Sequence, residues 1–184
     1  NNPIYLNYAT IGVYMAHEVW HAVHEVLLNA NTNEITRKKY EERLKCLENN
    51  YRKYSLNKYG LCINGSESTS EQIADTFAVL ASFNTFQNLF NGKNHKHLKQ
   101  TNSHNQLMPG LDLNQQQLYY LRYAQSYCRK SKILSPNDFE QYHVINEFRV
   151  FQVSLMPEFF KIFKCESNNN ENLSSFLKPC NIFD

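Results

Sequence analysis

Three histidines lie close together near the start of the chain. In the stretch "MAHEVWHAVHE", His17, His21 and His24 occupy positions i, i+4 and i+7, which on a helix share one face. His17, Glu18 and His21 also spell H-E-x-x-H, in which two imidazoles one turn apart bind a metal and the intervening glutamate acts as a general base. This spacing predicts metal-assisted hydrolysis. The alternative is a helix whose histidines are ordinary core or surface residues.

A catalytic zinc ion needs a third protein ligand and a water, and a second stretch can supply the ligand. "SEQIAD" places Glu71 and Asp75 at i and i+4, on one face of a helix. Glu71 would complete a His2Glu site, and Asp75 would accept the ring N–H of a ligand histidine and fix its tautomer. An acidic pair on a surface helix is the alternative. Apolar neighbours indicate instead that this helix is largely buried: Ile73, Ala74, Phe77 and Val79.

The elements that position these residues are predicted to be helices, and the chain to be mainly α-helical with little strand. The periodicity predicts helices at 9–29, 33–56, 70–90, 115–128 and 150–164. In the last of these, Pro157 is predicted to interrupt the helix or to start its main part. The first has apolar residues on most faces, as a buried helix would have. Residues 91–106 form a polar loop whose histidines are predicted to face solvent, and residues 135–150 are predicted to be irregular.

Composition excludes several classes of protein. A net charge of +2 in 184 residues argues against a dedicated nucleic-acid binder. No run of eighteen apolar residues and no signal peptide is present, so the chain itself contains no predicted membrane span. The five cysteines show no C-x-x-C spacing, which argues against a cysteine zinc site. The sequons at Asn64 and Asn172 favour secretion, and the opening without Met is typical of a piece of a longer protein.

Five ordered blocks resemble the neprilysin-type zinc metallopeptidases, which include the endothelin-converting enzymes. They are "LNYATIGVYMAHEVWH", "NGSESTSEQIAD", "LMPGLDLNQQQLYYLRYAQSYC", "YHVINEFRV" and "FFKIFKC" with the later Cys180. The resemblance implies that residues 1–184 are a gluzincin-type, carboxy-terminal catalytic domain with two ligand-bearing helices. It also implies that the amino-terminal half of the same protein is absent from this chain.

The resemblance assigns roles by position. It implies one Zn2+ bound by His17, His21 and Glu71. It implies that Glu18 is the general base that activates the attacking water. Three further residues match supporting positions: Asp75 orients a ligand histidine, His143 hydrogen-bonds the oxyanion, and Arg149 supports the site and the substrate carbonyl.

The chain departs from the family pattern near these positions. His24 replaces an aspartate behind the second ligand histidine, and a neutral imidazole lacks the charge of a carboxylate. We therefore expect weaker zinc binding, within the roughly 10–100-fold range of such exchanges. Further replacements are Ser70 for a glycine, Val144-Ile145 for Ser-Pro, and Val13, Tyr14, Ser126 and Tyr127 near the leaving-group pocket.

The family pattern also pairs cysteines. It implies a disulfide between Cys46 and Cys180. Cys128 and Cys165 match cysteines whose partners lie in the absent half, so we expect them to be unpaired here. Cys62 has no assigned counterpart. A reduced intracellular protein with five thiols is the alternative.

The leading hypothesis is an extracellular zinc metalloendopeptidase that cleaves short peptides on the amino side of apolar residues. Its expected partners are the peptide substrate and the absent amino-terminal half; a membrane would be reached only through an anchor outside this chain. The alternative is an impaired or inactive pseudopeptidase that binds peptides. A third possibility, a helical interaction module without metal, requires His17, His21 and Glu71 to lie apart.

Overall fold

Helices make up nearly all of the regular structure, which confirms the predicted fold class. The protein is described from a computed structural model for residues 3–29, 31–91, 107, 109–129, 134–139, 143–165, 177 and 180. The α-helices in these ranges are α1 (Ile4–Asn7), α2 (Val13–Leu28), α3 (Glu34–Tyr59), α4 (Thr69–Asn91), α5 (Gln115–Gln125), α6 (Asn146–Ser154) and α7 (Pro157–Phe163). A π-helical segment, Tyr8–Gly12, joins α1 to α2, and a 3-10 turn spans Pro136–Asp138. The same ranges contain no strand, only an isolated bridge between Leu107 and Asn114.

Helix α4 is the centre of the fold, and α2 packs along it in the antiparallel direction. Tyr8 contacts Ser82 at one end of the pair, whereas His21 contacts Glu71 at the other. The two helices approach closely at Gly12, where an added Cβ would lie 2.7 Å from Ser82 Oγ. This packing brings the two predicted ligand-bearing helices together.

Apolar burial explains why α4 is central. A large cluster packs around its second half, including Phe83 and Phe86 of α4 and Tyr119 and Tyr123 of α5, all 2% exposed or less. Full burial of such side chains stabilises by about 1.5–3 kcal/mol each. Gln152 of α6 donates a hydrogen bond to the Gln72 carbonyl at 2.7 Å, which fixes α6 against the start of α4.

The charged helix α3 was predicted correctly and runs three residues further than expected. The Asn33 side chain caps its start by accepting from the backbone of Ile35 and Thr36. Gly60 ends it in the left-handed region at φ 68°, which glycine adopts without steric cost. One face of α3 turns inward, with these residues buried: Tyr40, Leu47, Tyr51 and Tyr54.

The structure corrects two predictions about the helices. The first helical run begins at Ile4 and is buried on one side only; large apolar side chains remain exposed at Ile11, Tyr14, Met15, Val19, Val26 and Leu28. The segment 135–150 is not irregular throughout, because α6 already begins at Asn146. The break predicted at Pro157 is confirmed: Pro157 occupies the first turn of α7 and cannot donate the hydrogen bond that would continue α6.

The disulfide implied by the family pattern is present. Cys46 of α3 is bonded to Cys180, with Cα atoms 5.9 Å apart. Cys62, Cys128 and Cys165 are free and exposed, as expected for the latter two. None of the described helices is long and apolar enough to cross a membrane. Asn91, the first residue of the polar loop predicted at 91–106, is the last residue of α4; residues 92–106 and the sequon at Asn172 lie outside the described residues.

Candidate metal centre

The side chains of α2 and α4 converge on one point. His17 Nε2 lies 3.1 Å from His21 Nε2 and 3.1 Å from Glu71 Oε2, and His21 Nε2 lies 3.2 Å from Glu71 Oε1. The one-turn spacing on α2 aligns the histidines, and the first turn of α4 presents the carboxylate to both. The third possibility raised by the sequence, a fold in which these residues lie apart, is wrong.

The two imidazoles and the carboxylate form a group that could hold a metal ion. Their three ligand atoms all lie within 4.8 Å of one another. Two ligands of a tetrahedral ion at about 2.1 Å from each would be about 3.4 Å apart. The nearest separations are 3.1–3.2 Å, close to that value, although His17 and His21 approach different oxygens of Glu71. Two imidazole nitrogens and a carboxylate leave a fourth position open, which is the arrangement of catalytic rather than structural zinc.

His17 is held from behind by a buried ion pair. Its Nδ1 lies 3.0 Å from Asp75 Oδ1, which leaves Nε2 directed at the other two ligands. Asp75 is 1% exposed and accepts from Arg149 Nε at 2.7 Å and Nη2 at 2.5 Å. The guanidinium stacks on Tyr127, 4.6 Å from the ring centre. Arg149 therefore supports the site through Asp75, and Tyr127 is a contact that no spacing in the sequence indicated.

Charge within the cluster shifts two titration equilibria. Burial alone would lower the pKa of His17, but the hydrogen bonds to Asp75 and Glu71 outweigh it and raise the pKa to about 9. Burial opposes ionisation of Glu71, yet the bond to His17 and the charge of His143 lower its pKa. Without metal, a proton on His17 thus takes part of the role of a cation, and binding a metal would displace it.

His143 and Glu18 are both exposed, and each is next to a member of the cluster in space or along the chain. His143 Nε2 is 3.0 Å from Glu71 Oε2, while 55% of its side chain is exposed. Glu18 is exposed and follows His17 directly on α2. The loop before α6 thus places an imidazole beside the same carboxylate that faces both ligand histidines. These positions leave both residues accessible to a substrate, as their expected roles require.

His24 has a different partner from the one expected. Its Nδ1 lies 2.6 Å from the hydroxyl of Tyr40 on α3, and no hydrogen bond joins it to His21 among the described residues. The ring is half-buried, and burial lowers its pKa, so the imidazole is neutral at pH 7. Tyr40 lies on the buried face of α3, and no spacing in the sequence indicated its contact with His24.

Comparison with known proteins agrees with the geometry. The family model for peptidase family M13 matches residues 1–176. Neprilysin-3 of Drosophila melanogaster is 28% identical over 94% of this chain, and the chain spans 22% of that protein. An endothelin-converting enzyme homolog of Locusta migratoria is 27% identical over 93% of the chain and 24% of its own length. Human neprilysin is 26% identical over 91% of the chain and 23% of its own length.

These relatives align with nearly the whole chain, which spans about a quarter of their length. The aligned part includes the two helices that bring His17, His21 and Glu71 together. The chain belongs to peptidase family M13.

Proposed function

We propose that this chain is the zinc-binding catalytic part of a metalloendopeptidase that cleaves short peptides on the amino side of apolar residues. The observation that carries the proposal is the convergence of His17, His21 and Glu71, with His17 fixed by a buried Asp75–Arg149 pair. When bound, zinc supplies a Lewis acid that polarises the scissile carbonyl.

The other residues have separate roles in this proposal. Glu18 accepts a proton from the attacking water and passes it to the leaving amine. His143 donates a hydrogen bond to the oxyanion of the tetrahedral intermediate. Arg149 holds Asp75 and, through it, the orientation of His17; its buried bidentate contact supports this role more directly than contact with the substrate carbonyl.

The proposed preference for apolar residues in the substrate rests on the family resemblance. The exposure of the residues near the leaving-group pocket indicates which of them could contact such a substrate residue. Val13 is 2% exposed and belongs to the core, so it does not face an open pocket. Tyr14 is 47% exposed and Tyr127 borders Arg149, which leaves these two near the site. An aromatic lining would favour apolar side chains through burial of their surface.

The proposed partner is the amino-terminal half of the same protein, and the proposed location is extracellular. The relatives are about four times longer than this chain. The exposed apolar side of α2, which includes Met15, Val19 and Val26, is a surface that further protein would cover. The Cys46–Cys180 disulfide and the exposed sequon at Asn64 support an oxidising compartment.

The decisive experiment measures zinc and turnover on the protein as its gene encodes it. We expect one zinc per chain and hydrolysis of an apolar reporter peptide that stops with a chelator and returns with zinc. Glu18→Gln is the matched control, because the amide keeps the shape of the side chain but cannot accept the proton. It should retain zinc and lose turnover. Turnover at the normal rate in Glu18→Gln would exclude Glu18 as the base.

A second candidate function is a pseudopeptidase that binds peptides without cleaving them. The observation that favours it is the bond between His24 and Tyr40, which leaves His21 without support from His24. A protein of this kind would bind the reporter peptide and release it uncut, with or without added zinc. Isothermal calorimetry beside the hydrolysis assay separates the two functions.

A further inference from the structure

The two proposed zinc-binding histidines are supported unequally. His17 donates its Nδ1–H to Asp75, which Arg149 holds in turn. His21 directs Nε2 at Glu71, and its Nδ1 has no hydrogen-bond partner in the described part of the chain. A metal-binding histidine almost always donates its second ring N–H to an acceptor, which orients the ring and raises its basicity. His21 is therefore the less firmly oriented ligand.

His24, on the same face of α2 as His21, carries a ring nitrogen of the kind that could serve as that acceptor. It follows His21 by three positions on α2, so the two lie on one face, and both line a cavity of about 490 Å³ together with Glu25. The hydrogen bond between His24 Nδ1 and the Tyr40 hydroxyl competes with a hydrogen bond from His21 to His24. A neutral imidazole has one donor and one acceptor nitrogen. If Nδ1 accepts a hydrogen bond from the Tyr40 hydroxyl, the ring proton is on Nε2. If Nδ1 instead donates to the hydroxyl oxygen, Nε2 can accept.

The environment of Tyr40 indicates the direction of this bond. Tyr40 is 4% exposed, and His24 Nδ1, 2.6 Å from its oxygen, is the one acceptor within hydrogen-bond distance of the hydroxyl among the described residues, so the buried O–H donates to Nδ1. A hydroxyl that donates to Nδ1 leaves the His24 proton on Nε2. With that proton in place, Nε2 cannot accept from His21. Tyr40 itself is fixed, because it packs with Leu47 and Ile73 in the core.

We propose that Tyr40 is a positioning residue that withholds His24 from His21 and thereby lowers the affinity of the metal centre for zinc. The inference rests on the proposed zinc site and adds the reason why one of its ligands lacks support. His24 thus links α2 to α3 through its hydrogen bond to Tyr40 and does not support the metal site. Removing the Tyr40 hydroxyl allows the ring proton of His24 to move to Nδ1, so that Nε2 can accept a hydrogen bond from His21.

The test is a double-mutant cycle on zinc affinity, measured by competition with a chromophoric chelator. Tyr40→Phe keeps the ring in the core and removes only the hydroxyl; we expect zinc to bind about 10-fold more tightly. His24→Ala alone should leave zinc affinity unchanged, and the double variant should match the wild type, because the gain needs the His24 ring. Tyr59→Phe removes a different hydroxyl of α3, one that donates to Glu147, and should leave zinc affinity unchanged.

Two results would overturn the inference. Weaker zinc binding in His24→Ala would show that His24 already supports His21, and no tightening in Tyr40→Phe would show that the hydroxyl withholds nothing. Imidazole nitrogen NMR on the zinc-free protein gives an independent readout. We expect the His24 proton on Nε2 in the wild type, and a proton on Nδ1 would refute the inference even if the protein bound no zinc. Absence of zinc binding in every variant would instead refute the proposed function.

Discussion

Replacing Asp75 by asparagine tests the support of the metal centre most directly. The substitution keeps the shape of the side chain and removes its charge. Asp75 is 1% exposed, and the Arg149 side chain that pairs with it is 13% exposed. Leaving a buried guanidinium without its counter-charge costs about 3–5 kcal/mol of unfolding free energy. Loss of the charged acceptor behind His17 should weaken zinc binding by roughly 10–100-fold.

Two assays separate these effects. Urea denaturation of the zinc-free protein measures stability, and chelator competition measures zinc affinity. Glu147→Gln is a matched control, because it breaks an ion pair with Lys58 whose side chains are 50% and 53% exposed. That loss should stay within about 1 kcal/mol and leave zinc affinity unchanged. The double variant Asp75→Asn/Arg149→Met no longer contains the unpaired guanidinium. Stability should therefore recover in part, while zinc affinity stays low.

The outcome can contradict either step. A stability loss in Asp75→Asn no larger than that in Glu147→Gln would show that the Asp75–Arg149 pair is not buried as described. Unchanged zinc affinity would show that Asp75 does not orient His17. Full recovery of zinc affinity in the double variant would mean that the unpaired Arg149 guanidinium, rather than the missing carboxylate, weakens zinc binding in Asp75→Asn.

The remaining predictions concern the ligand set, the oxyanion, pH and the disulfide. Glu71→Ala should lose zinc in metal analysis, because two histidines alone do not complete the site; retained zinc would remove Glu71 from the ligand set. His143→Ala should keep zinc and slow turnover by roughly 100–1,000-fold in steady-state kinetics, and a normal rate would exclude contact with the oxyanion. The pKa of His17 is raised from 6.5 to about 9 in the folded zinc-free protein, so the stability it contributes is fully present below pH 6.5 and is lost as the pH rises through 9. Denaturation across this range should show a loss of up to about 3 kcal/mol, and a flat profile would contradict the shift. Reducing the Cys46–Cys180 bond, which closes a separation of 134 residues, should cost roughly 5 kcal/mol, and free thiols at both positions in non-reducing peptide mapping would exclude the bond.

Local periodicity was sufficient to predict the ligand-bearing helices and the set of candidate ligands. His17 and His21, like Glu71 and Asp75, are four residues apart, so each pair must share a face once its helix forms. The family resemblance added the pairing of Cys46 and Cys180, which spacing alone could not have chosen among five cysteines.

The contacts between helices depended on packing across long separations in the chain. Arg149 and Asp75 are 74 residues apart, and nothing in either local pattern indicates that the guanidinium binds the carboxylate. His24 lay on the predicted face beside His21, yet its hydrogen bond goes to Tyr40 on the next helix. A helix fixes which residues are neighbours along its own surface, whereas the partner of each side chain depends on the angle and register at which the next helix packs.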